Sequence, residues 1–136
     1  MRVRVNRRTT KRLAVVGAAA AALATTTLAT APTASADSYR GCDWPRVCFY
    51  LTSSDWVDNA PTAAFQDVTT SYQDLGSRSR GADYVTNTRN DDRVYLRYIH
   101  NGTGVTSYKC VPPNHYQYFS TTFTVTGIRI DTASSC

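Results

Sequence analysis

The most chemically suggestive stretch of this chain is Cys110-Val111-Pro112-Pro113-Asn114. A cysteine that anchors a proline-stiffened loop can present a peptide rigidly. Such preorganisation lowers the entropy cost of occupying a protease cleft. Val111 is then the aliphatic side chain on offer, and a secreted protease is the partner. The same letters also describe a plain exposed corner, because proline cannot donate to a sheet ladder. The two histidines, His100 and His115, are the candidates for a general base. Ser and Asp are available to complete a triad, but no G-x-S-x-G motif surrounds a serine. Asp91 and Asp92 are neighbours, so their carboxylates diverge in extended chain instead of facing each other across a sugar. No catalytic residue is therefore assigned, and an enzyme is not expected. Asp58-Asn59-Ala60-Pro61-Thr62 and Asn90-Asp91-Asp92 are oxygen-rich turns of the kind that suits calcium. Neither is an EF-hand loop, and Asx-turn chemistry accounts for both. Calcium is a weak signal, and no cofactor or metal site is assigned.

Four cysteines, Cys42, Cys48, Cys110 and Cys136, complete the reactive inventory. An even count in a small exported chain reads as two disulfides. Three connectivities are open, and Cys42–Cys48 with Cys110–Cys136 is preferred. The first closes a short ring that includes Pro45, and the second ties the C-terminal end back to the body. Zinc would want closer pairs, such as C-x-x-C, completed by further Cys or His.

The export context comes from residues 1–36. A basic opening is followed by an Ala-rich apolar run from Leu13 to about Ala31, and then by Ala34-Ser35-Ala36. These are the n-region, h-region and cleavage site of a secretory signal peptide. One β-domain over residues 37–136 is expected to follow, secreted and monomeric. Six of the fifteen Lys and Arg residues lie in the leader, and all ten Asp lie beyond it. The remaining domain carries nine basic and ten acidic side chains, net −1, against +5 for the whole chain. That balance excludes the basic footprint of a nucleic-acid binder. No apolar run after the leader approaches a membrane span.

The elements that must position these residues read as strands. The domain has no Glu, one Lys, and all nine Tyr, a balance that favours sheet over helix. Val47–Leu51 is a compact buried strand, and Thr52–Thr62 is a loop in which Trp56 plugs the core. Ala64–Val68 is a weak strand, Ser71–Leu75 a helical turn, and Asp83–Thr86 a short strand. Arg93–His100 alternates clearly, with Val94, Leu96 and Tyr98 on one face. Asn101-Gly102 then signals a hairpin returning through Val105–Cys110. His115–Phe119 and Phe123–Ile130 complete the set, with Gly127 breaking the alternation as a bulge would. Seven or eight short strands separated by turns indicate a small sandwich or barrel.

Several of these segments carry a family resemblance. Gly41-Cys42-Asp43-Trp44-Pro45-Arg46-Val47-Cys48-Phe49-Tyr50 resembles the opening of the secreted bacterial metalloproteinase inhibitors, peptidase inhibitor family thirty-six. Ala82–Asn87 followed by Val94–Tyr98 is similar to the central strand pair of that family and of βγ-crystallin domains, with Gly127–Ile130 as the closing strand. The resemblance implies a βγ-crystallin-like, Greek-key, two-sheet fold. It also implies inhibition of secreted metalloproteinases, with Val111 suited to the apolar pocket just beyond the cut bond. The alternative within the same fold is an extracellular binding or structural domain without inhibitory activity.

Overall fold

The computed structural model describes residues 38–136. The signal-peptide reading of residues 1–36 lies outside the described residues. Eight strands form, with one turn of helix: β1 (Val47–Tyr50), α1 (Ser53–Val57), β2 (Ala63–Phe65), β3 (Gln73–Asp74), β4 (Tyr84–Asn87), β5 (Arg93–His100), β6 (Thr106–Val111), β7 (His115–Tyr118) and β8 (Phe123–Asp131). They make two four-stranded antiparallel sheets, ordered β2-β1-β4-β7 and β3-β8-β5-β6. The third strand of each consecutive four is exchanged: β3 pairs with β8, and β7 pairs with β4.

Period-two alternation decides what each face buries. Val47 and Phe49 of β1 join Val85, Val94, Leu96, Val111, Val125, Ile128 and Ile130 in one core contributed by both sheets. Each such side chain stabilises the fold by roughly 1.5–3 kcal/mol relative to exposure. The intervening β1 residues, Cys48 and Tyr50, point the other way. They form a second cluster with Cys42 and Trp56 on the outer face of the first sheet, with Tyr84 packed against it. Trp56 does plug a core, but it is this outer one.

Both disulfides are those preferred from spacing, Cys42–Cys48 and Cys110–Cys136. The bulge at Gly127 is present too. Arg97 pairs with Gly127 while Tyr98 pairs with Val125, so Thr126 is the extra residue. A Cβ there would stand 3.0 Å from the Arg97 guanidinium, so glycine lets that side chain cross the bulge without shifting.

Four local expectations change. Thr52–Thr62 holds a helix because Thr52 and Asp55 form a capping box, with the Thr52 hydroxyl accepting from the Asp55 N–H and the Asp55 carboxylate accepting from the Thr52 N–H. Ser71–Leu75 is not a helical turn. Gln73 and Asp74 pair with Ile128 and Gly127, and Leu75 is buried. The second strand stops at Phe65, and Val68 already bridges to Ile130 in the other sheet. The β5–β6 hairpin forms, but through a longer loop. His100 N–H donates to Val105 O, and the left-handed residue is Gly104 at φ 70° instead of Asn101 or Gly102.

Candidate functional site

The 110–114 segment is a corner braced from behind. Val111 closes β6 opposite Val94, and its side chain is 2% exposed in the main core. This corrects the expectation that Val111 lies in an exposed loop. The residue that was to enter a protease pocket faces inward, because the β-ladder runs to Val111 before the prolines interrupt it. Cys110 is held by its disulfide to Cys136, Pro112 and Pro113 are half-buried, and only Asn114 is exposed.

The brace is Asn87, buried at the end of β4. Its Nδ2 donates to the carbonyls of Asp92 (2.9 Å), Pro112 (3.1 Å) and Val111 (3.3 Å), and its Oδ1 accepts from Arg89 N–H (3.1 Å). Arg89 pairs with Asp92 and reaches the Pro45 and Gln66 carbonyls. Asn114 N–H donates to Arg89 O. The turn at Asn90-Asp91-Asp92 thus spends its Asp92 carboxylate on Arg89. In the other oxygen-rich turn, Asp58 closes α1, and the Thr62 hydroxyl bonds the Phe49 and Arg78 carbonyls. Among the described residues no three His, Cys or Asp side chains gather to hold a metal.

The histidines belong to different sheets. His100 ends β5, with Nδ1 3.3 Å from the Thr103 hydroxyl, and its ring packs edge-on against Phe123. His115 opens β7, and its Nδ1 donates to the Pro113 carbonyl at 2.7 Å. Neither has a carboxylate partner among the described residues.

The side chains that do converge are aromatic, on the outer face of the first sheet. Tyr84 and Thr86 alternate along β4, and Tyr118 and Tyr116 stand opposite them on β7. The helix α1 lays Trp56 flat on Tyr84, centroids 4.6 Å apart and 9° between planes. Trp56 also meets Tyr50 edge-on at 5.1 Å and Tyr116 at 5.0 Å. From the segment just before the Cys42–Cys48 ring, Tyr39 stacks on Tyr116, and the Arg40 guanidinium lies 5.0 Å from the Trp56 ring. Burial pushes the Tyr50 phenol up to about 12, against the opposing pull of Arg40; its hydroxyl donates to Arg40 O at 2.8 Å. Edge and offset pairings of this kind contribute about 0.5–1.5 kcal/mol each beyond area burial.

This inner stack holds an outer layer in the open. Tyr39, Tyr116 and Tyr118 are 45%, 53% and 50% exposed. Beside Tyr39, where β4 ends and β7 begins, lies a cavity of about 290 Å³ bordered by Thr86, Thr88, Asn114 and His115. Thr86 is 1% exposed, and its hydroxyl has no hydrogen-bond partner among the described residues. Sequence reasoning assigned none of this surface. The signal it contained was Tyr116-x-Tyr118, two large aromatics on one face of an edge strand.

Comparison with models of protein families, with curated proteins and with solved structures found no match to this chain.

Proposed function

We propose that the chain is an extracellular binding domain of βγ-crystallin-like, Greek-key type, and that it binds through the aromatic face of its first sheet. The observation that carries this reading is the exposed tyrosine layer, backed by Trp56 and opening onto a largely apolar cavity bordered by a few polar side chains. Exposed apolar surface beside a concave site with a few polar groups is where ligands and partners dock. The exchanged third strands support the Greek-key assignment, since they make two interlocked four-strand units. Two disulfides in a small β-domain fit the extracellular setting.

Burial of Val111 counts against protease inhibition through residues 110–114. A protease must seat an extended backbone and its side chain, and here that would peel the end of β6 from β5. Oxidised protein at micromolar concentration should leave a thermolysin-type metalloproteinase and a subtilisin fully active. It should co-sediment with insoluble cell-envelope material, and the pair Tyr116→Ala with Tyr118→Ala should abolish that retention at unchanged circular dichroism. Stoichiometric loss of either protease activity, or retention indifferent to the two tyrosines, would overturn the proposal.

A further inference from the structure

We infer that the cavity beside Tyr39 takes a sugar ring of a neutral polysaccharide, with the neighbouring tyrosines as stacking platforms for the polymer. The inference rests on the aromatic face being the binding surface, and it names the ligand class. Three features of the site lead to it.

The first is the pairing of flat apolar rings with hydrogen-bonding groups at their flank. A pyranose has the matching chemistry. Its axial C–H face packs on an aromatic ring, while its equatorial hydroxyls seek donors and acceptors around the rim. Tyr39 and Tyr116 supply the rings, stacked at 6.5 Å and 24°. Tyr118 continues the surface, 5.0 Å from Tyr84. A lipid or an apolar peptide would leave the polar side chains among the lining, Asn114 and His115, without partners.

The second is the state of the polar groups there. His115 Nδ1 donates to Pro113 O, which fixes the ring and leaves Nε2 with no partner among the described residues. The Asn114 amide nitrogen donates to Asn90 Oδ1 at 3.1 Å, which orients the carboxamide and leaves its oxygen open. Thr86 is the most telling. It lines the cavity, and its buried hydroxyl is unmatched within the described fold. A buried polar atom without a partner is costly unless something supplies one, and rotation of the Thr86 side chain is what would bring this closed-off hydroxyl to a sugar hydroxyl in the cavity.

The third is charge. No Asp, Lys or Arg is among the residues lining the cavity, and the Arg40 guanidinium nearby lies over the Tyr39 and Trp56 rings, so the cavity itself offers no fixed charge for a uronate, a sulfated sugar or a phosphate. Its size sits at the small end of ligand pockets, which suits one ring of a polymer better than a bulky small molecule.

The test uses the oxidised protein and soluble hexamers of β-1,4-linked glucose and of β-1,4-linked N-acetylglucosamine, with polygalacturonate as the anionic control, read by calorimetry. Saturable binding to at least one neutral hexamer and none to the polyanion is expected. Tyr116→Ala should weaken it at least tenfold. Thr86→Val keeps the side-chain shape and removes the hydroxyl. It should weaken binding severalfold while the melting temperature holds or rises. A Thr86→Val protein that binds as well as the parent would overturn the role given to the cavity. If neither hexamer binds while the tyrosine-dependent envelope retention persists, the sugar inference fails and the binding face stands. If retention is also absent, both fail.

Discussion

Replacing Asn87 by alanine should unfold this domain more readily than the small gap left by one carboxamide would suggest. The carboxamide is buried and serves four backbone groups: the carbonyls of Asp92, Val111 and Pro112, and the Arg89 N–H. Val111 O has the longest of these contacts, 3.3 Å, and loses least. The other three are left without this partner in Asn87→Ala. An unmet buried polar group costs about 1–3 kcal/mol. Partial rehydration of the Arg89 and Pro112 groups, which lie nearer the surface, brings the sum to roughly 3–5 kcal/mol. That is a large share of the 5–15 kcal/mol typical of a domain. At about 4–8 °C per kcal/mol for a chain of this size, the melting temperature should drop by at least 12 °C or so. Urea unfolding followed by tryptophan fluorescence measures it, with the midpoint shifting at constant slope. A loss below about 1 kcal/mol would refute the reasoning. It would mean that the 110–114 corner is held by the prolines and the disulfide alone.

Gly41→Ala should destabilise by at least about 1–3 kcal/mol. Gly41 sits at φ 75°, and a Cβ there would stand 2.0 Å from the Asn59 carbonyl oxygen; thermal melting checks it. Replacing Cys110 and Cys136 together by serine should cost roughly 3 kcal/mol on the loop-entropy account, while the aromatic face keeps its ligand binding in the folded fraction. Below about pH 4 stability should decline through Asp131. Partial burial raises its pKa, but hydrogen bonds from Arg93 and the Ala133 N–H, with the Arg93 and Arg129 charges, outweigh this and leave it below its ordinary value. A carboxyl with a depressed folded pKa stabilises above its unfolded pKa and loses that contribution as pH falls through the folded one. Urea midpoints from pH 6 to pH 2 should therefore slope less in Asp131→Asn than in the parent.

How much was legible in the letters differs by element. β5 was plain because Val94, Leu96 and their neighbours alternate over eight residues, long enough for period two to stand out. β3 was not, because two residues, Gln73 and Asp74, carry no period. They are strand only because β8 offers them a ladder. Gly127 was read as a bulge from broken alternation, and the reason, the Arg97 guanidinium crossing it, needed the folded pair. The capping box at Thr52 and Asp55 is written in the sequence, but a helix of five residues is too short for a 3.6-residue period to show. Val111 was misplaced because a valine before two prolines looks like loop, and only its register against Val94 puts it in the core.

By itself the sequence determined composition-level and local matters: a β-rich domain, cysteines enough for two disulfides, one strong strand and its hairpin. These depend on residue type and near-neighbour spacing, which the chain carries in one dimension. The tertiary structure alone decided the strand exchange between sheets, the inward turn of Val111, and the aromatic face. That face draws Tyr39, Trp56, Tyr84, Tyr116 and Tyr118 from four separate segments. Contacts among residues so distant in sequence leave no periodicity to read, and they exist only once β4 and β7 have paired and α1 has docked on the outer face of their sheet.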